Sequence, residues 1–178
     1  MPLTVIEQNV AILAQAIDLL DGLSDPDYAE PPPAGGVAPV GPHFRHCLDF
    51  YRCLIDGLDR GEVDYDRRGR SPELEVDRRA AISALTEITH ELERLPGAIA
   101  SRRVRVRHDV GKEASSSSAE EWSRSSAQRE LQFLLSHTVH HFALIGLLLE
   151  RRGVEMPADF GVAPSTLDHR RSEARCAR

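Results

Sequence analysis

With 178 residues, 41% hydrophobic and 28% charged, the chain is long enough to bury one continuous core, and its composition excludes a disordered or fibrous protein. A formal net charge of −6 argues against general nucleic-acid binding, because phosphate recognition needs a basic surface for counterion release. The longest apolar run, Phe142 to Leu149, is far short of the ~20 residues that span a bilayer, and MPLTVIEQNV lacks the basic start and apolar stretch of a signal peptide.

These features predict a cytoplasmic protein with no membrane or nucleic-acid partner. Three cysteines, Cys47, Cys53 and Cys176, give no disulfide framework and read as buried or free thiols.

Four segments show helical periodicity. The first, roughly Thr4 to Leu23, puts Val5, Ile6, Val10, Leu13, Ile17 and Leu20 on one stripe. From Ser24 to Gly41 the sequence SDPDYAEPPPAGGVAPVG holds too much proline and glycine for regular structure and reads as a long connection. The second helix opens near Pro42, proline being tolerated in a first turn, and runs to about Arg60 before Gly61. After the polar loop EVDYDRRGR, a third helix starts with Ser71 as N-cap and Pro72 at its first position, and continues through Leu74, Ala81, Leu85, Ile88 and Leu92 to stop at Pro96-Gly97.

Arg102, Arg103, Arg105, Arg107 and His108 alternate with Val104 and Val106, which predicts one short strand with a solvated basic face. The serine-rich stretch SSSSAEEWSRSS reads as a loop. The fourth helix begins near Ser125 or Ser126, where Ser125 and Gln128 have capping-box spacing, and ends at Arg152-Gly153. Residues 156–178 form a loop and an arginine-rich tail, from which Ser165, Thr166 or His169 could reach the open end of the bundle or simply lie on the surface. With no internal repeat and no real sheet, the pattern indicates an all-α protein, a four-helix bundle over residues 1–155.

The fourth helix contains HTVHH at residues 137–141, immediately before FALIGLLLE. Advancing about 100° per residue puts His137 and His141 inside the apolar arc and His140 on its polar border. An i, i+4 pair is the spacing by which one helix offers two nitrogens to one metal ion. The second helix, GPHFRHCLDFYRCLIDGL, supplies a third candidate in His43 or His46. Periodicity slightly favours His43 as the more buried of the two.

Glu130 lies on the stripe of His137, two turns earlier, where it could orient a ligand or accept a proton; it is also well placed at a helix N-terminus. Cys53 lies on the stripe of His46 but too far along the axis to share an ion. Glu87 and His90 form one ExxH pair, whereas a di-iron bundle needs two. No nucleophile elbow or glycine-rich phosphate loop is present.

On the strength of GPHFRHCLDFY and RELQFLLSHTVHHFALI, residues 4–153 resemble the DinB-like superfamily, also called DinB/YfiT-like metalloenzymes. The resemblance implies an up-down-down-up bundle and a three-histidine site for a divalent ion such as zinc or nickel. It selects His46, His137 and His141 as ligands, with His43 as the substitute for His46. It further implies a small-molecule substrate and, in several members, a low-molecular-weight thiol cofactor used in transfer reactions. A homodimer through a helix face is compatible with a bundle of this size.

Overall fold

The computed structural model describes residues 3–31, 39–107 and 122–176. Helix α1, Val5–Gly22, opens with a reciprocal cap in which the Thr4 hydroxyl accepts from the Glu7 backbone N–H and the Glu7 carboxylate accepts from the Thr4 N–H. The connection that follows is more ordered than its composition suggests. Ser24 caps a five-residue helix α2, Asp25–Ala29, with proline in its first turn, and Tyr28 is fully buried with its hydroxyl donating to the Leu74 carbonyl. Arg152 holds this segment from the far end of the chain, bonding Asp27 at 2.8 Å and the carbonyls of Pro26, Glu30 and Pro31. Residues 32–38 of the expected loop lie outside the described residues.

Helix α3, Gly41–Leu58, carries proline in its first turn as expected. Its first residue must be glycine, because a Cβ there would overlap the Glu75 carbonyl. The expected third helix is divided. A four-residue helix α4, Glu73–Val76, ends at Asp77, whose extended backbone lets its carboxylate accept from the N–H groups of Arg79 and Ala80 and start α5, Arg78–Arg94, afresh. Asp77 is thus the cap that Ser71 was expected to provide, an aspartate being as strong an N-cap as a serine.

The sequence predicted one strand; the described residues form three. Strands β1, Glu62–Asp64, β2, Arg103–Arg107, and β3, Ser123–Ser126, make a sheet in the order β1-β2-β3, parallel in the first pair and antiparallel in the second. The basic face of β2 is matched across the parallel pair, where Arg105 meets Glu62 and Arg107 meets Asp64, while Val104 turns into the core. His108 and residues 109–121, including most of the serine-rich loop, lie outside the described residues.

Helix α6, Ala127–Glu150, is capped by Ser126, which accepts from the Arg129 N–H; Ser125, the other candidate, bonds Glu130 instead. The helix stops where Gly153 adopts φ 80°. By length and composition α6 could cross a membrane, but here its apolar face packs on α1 and α3. The tail also differs from expectation: Pro164–Cys176 is a helix, α7.

Helices α1 and α3 each pack against both α5 and α6, so they occupy opposite corners of a square. Asn9 donates to the Leu131 carbonyl at 3.1 Å, which sets the starts of α1 and α6 side by side. Arg78 at the start of α5 donates to the carbonyl of Leu20 near the end of α1. Helices α3 and α5 both run down into the sheet, where β1 and β2 lie parallel. The order is therefore up-down-down-up, with the sheet closing one end. A buried polar chain, Thr138 to Tyr51 to Asn9, ties α6, α3 and α1 together at the level of the histidines.

Candidate metal centre

Helix α3 presents His43 and His46 near its start, and α6 presents His137 and His141 near its middle. Because the two helices run antiparallel and pack directly, these turns face each other. Aromatic contacts set the spacing on either side: Phe44 meets Phe142 at 5.8 Å between ring centroids, and Phe50 meets Phe133 at 6.1 Å.

Between these contacts, His46 Nε2 lies 3.1 Å from His137 Nε2, and His137 Nε2 lies 3.1 Å from His141 Nε2. One ligand nitrogen from each of the three residues falls within 4.8 Å of the others. Two metal–nitrogen bonds of about 2.0–2.1 Å in tetrahedral arrangement separate their nitrogens by roughly 3.3 Å. Three imidazoles converging at nearly that spacing fit a divalent ion with a position left over.

The electrostatics suit the same purpose. Burial, followed by the proximity of His137, pushes His46 down to about 4 and His141 to about 3. Both rings are therefore neutral at physiological pH, with lone pairs available for coordination. Burial also lowers His43, with His140 contributing.

The choice between His43 and His46 resolves into two different places. His46 belongs to the cluster of Nε2 atoms, whereas His43 Nδ1 sits behind the cluster, 3.1 Å from His141 Nδ1. Both are only partly buried, so burial does not separate them; their axial position on α3 does. His140 is exposed, as its place on the helix required.

Glu130 is 5% exposed, and its two carboxylate oxygens accept from the Tyr65 hydroxyl at 3.0 Å and from the Ser125 hydroxyl. The Tyr65 ring stacks on Phe50 at 5.1 Å and leans on Phe133 at 5.9 Å. Phe50 and Phe133 then contact His137 at 4.7 and 5.5 Å. This aromatic wall was partly legible, since Phe50 and Phe133 are each four residues from a site histidine and so share its face. Tyr65 comes from a loop with no periodic signal.

The other candidates lie elsewhere. At the surface of α5, Glu87 bonds Ser83 and Arg52 of α3, and His90 bonds Glu93. His169 is exposed on α7 beside Glu173, and Ser165 lines a groove with Gln8 and Val139. Cys47 and Cys53 are free thiols, pushed up to about 12 and about 11 chiefly by burial, so neither is a ready thiolate. The side chain of Cys176 lies outside the described residues.

Comparison with known proteins agrees with this fold. The family described as the DinB superfamily matches residues 9–145, which include all four of these histidines. The chain belongs to the DinB superfamily. A solved DinB-like protein of Bacillus subtilis, YjoA, shares the fold with a TM-score of 0.61 at 15% identity, over 86% of this chain and 95% of that one. A protein named FK506-binding protein 5 from Rhizopus delemar is 32% identical over 107 residues, 60% of this chain. The match spans only 27% of that relative's length.

Proposed function

We propose that this DinB-superfamily chain is a metal-dependent enzyme in which His46, His137 and His141 hold one divalent transition ion, zinc or nickel. The observation that carries this reading is the convergence of three imidazole nitrogens from two helices. An ion held by three histidines with an open position supplies Lewis acidity and lowers the pKa of a thiol or water bound beside it. The reaction that suits such a site is thiol-dependent transfer to, or hydrolysis of, a small electrophile in the cytoplasm. The thiol is a low-molecular-weight cofactor rather than Cys47 or Cys53, both of which are kept protonated by burial.

The chain's own residues have definable tasks. His43 orients the His141 ring through its Nδ1. Phe50 and Phe133 keep water off the flank of His137. Glu130 is given a positioning role through Tyr65, which braces both phenylalanines.

The test is metal analysis of the purified protein. About one transition ion per chain, lost in His137→Ala, supports the reading; a native protein that carries none and cannot be loaded overturns it. Cobalt-loaded protein whose spectrum no thiol or anion perturbs would be a non-catalytic metal-binding bundle.

A further inference from the structure

Arg68 follows the turn after β1 and differs from Arg45 and Arg52, the arginines of α3 near the site. Arg45 is held by Asp49 at 2.7 Å and Glu75 at 2.6 Å, and Arg52 by Glu87. Among the described residues, no carboxylate lies within ion-pair distance of Arg68. Its Nη1 donates to the Tyr65 carbonyl at 2.6 Å, and its Nε is buried with no hydrogen-bond partner. Its charge is near enough to contribute to the lowered pKa of His46. Asp49, whose carboxyl feels the charge of Arg68, is already engaged by Arg45.

The placement of this guanidinium is specific. Its central carbon stands 4.8 Å from the centroid of the Phe50 ring. The same ring contacts His46 at 4.9 Å and His137 at 4.7 Å. A partly desolvated cation and two of the three cluster histidines therefore contact the same aromatic ring. Arg68 also lines a cleft of about 410 Å³ with Asp49, Arg52, Cys53, Asp56, Asp64 and Trp122.

A buried guanidinium N–H without an acceptor is costly, and an incoming carboxylate or phosphate offers the fork-shaped pairing that such a group is built for. We propose that Arg68 is the anion anchor of this site, pairing with a carboxylate on the small thiol whose sulfur occupies the open metal position beside His46 and His137. The proposal rests on the metal reading above and adds the chemical class of its ligand: an acidic thiol rather than a neutral one. On binding, the thiol proton leaves to solvent, and no redox step is involved.

The experiment uses cobalt-loaded full-length protein titrated with 3-mercaptopropionate and with 2-mercaptoethanol, following the thiolate-to-cobalt absorption band. Wild type should bind 3-mercaptopropionate at least about tenfold more tightly, the scale of one charged hydrogen bond. Arg68→Gln should erase that preference while keeping its cobalt content and its affinity for 2-mercaptoethanol. Arg68→Lys, which keeps the charge but not the fork, should retain part of it.

Equal binding of the two thiols by wild type, or an undiminished preference in Arg68→Gln, overturns the assignment to Arg68 and leaves the metal site standing. If cobalt binds but neither thiol perturbs it, the thiol reading itself fails and this inference falls with it. Circular dichroism of Arg68→Gln guards against misfolding, and Arg68→Lys keeps the test decisive if the glutamine variant unfolds.

Discussion

His43 Nδ1 stands 3.1 Å from His141 Nδ1, while His141 Nε2 stands 3.1 Å from His137 Nε2. One imidazole is thus addressed on both nitrogens, by a neighbour behind it and by the cluster in front. When His141 donates its Nδ1 proton to His43, its Nε2 lone pair is left facing the cluster, which is the tautomer a ligand requires. His43→Ala should therefore weaken zinc or nickel binding about 10–100-fold without abolishing it. His141→Ala should abolish it, and His43→Gln, whose side-chain carbonyl can still accept, should recover part of the loss. Competition against a chromophoric chelator measures all three; a His43→Ala variant with wild-type affinity would remove His43 from the site.

The depressed basicity of the cluster gives the metal-free protein an acid sensitivity of known sign. His46 and His141 titrate at about 4 and about 3 in the folded chain, against about 6.5 when unfolded. Between about 6.5 and 4 the unfolded state therefore binds more protons than the native state, and stability falls as pH drops. Above 6.5 both states are neutral at these positions and the effect vanishes. Urea midpoints of metal-free protein should decline across this window, and the decline should be shallower in a His46→Gln, His141→Gln double variant. Identical slopes in the two proteins would place the acid sensitivity elsewhere.

The bundle and the histidine pair were legible because both rest on long-range periodicity in α1, α3, α5 and α6. What escaped the sequence has no period. Strand β1 is three residues long, and β3 is Ser-Arg-Ser-Ser; each exists only because β2 lies between them with Val104 buried beneath. The break at Asp77 was hidden because α4 and α5 continue the same apolar stripe through Leu74 and Ala81, and a cap inside a stripe leaves no gap in it. Angle alone slightly favours His43 over His46; both fall on the same flank of α3, and the structure leaves both half-buried. The distinction is axial, one turn, and only the antiparallel register of α3 on α6 sets it.

Tyr65 donates to the buried Glu130 carboxylate behind the aromatic wall. Tyr65→Phe removes a donor from a buried carboxylate and should destabilise the fold by about 1–3 kcal/mol in chemical denaturation. Glu130→Gln keeps an acceptor for Tyr65 and should cost less. If Glu130 serves only to position Tyr65, both variants bind metal at the wild-type ratio. A Glu130→Gln protein that folds and loads metal as wild type but loses turnover would instead assign the carboxylate a direct part in proton transfer.

Gly161 fixes the segment that follows α6 back onto that helix. It adopts φ 67°, and a Cβ there would lie 2.7 Å from the Ala143 nitrogen and 2.8 Å from the Phe142 carbonyl carbon. The contact is needed because Phe160 stacks on Phe142 at 4.9 Å with its plane almost parallel, and Phe142 in turn meets Phe44, the residue next to His43. Gly161→Ala must therefore both strain the left-handed backbone and push the segment off α6, costing about 2–4 kcal/mol in urea unfolding. Gly153 provides the control. It has φ 80°, but nothing lies near its missing Cβ, so Gly153→Ala should cost only the conformational part, about 1–2 kcal/mol. Equal costs at the two glycines would mean that close packing on α6 contributes nothing beyond backbone strain.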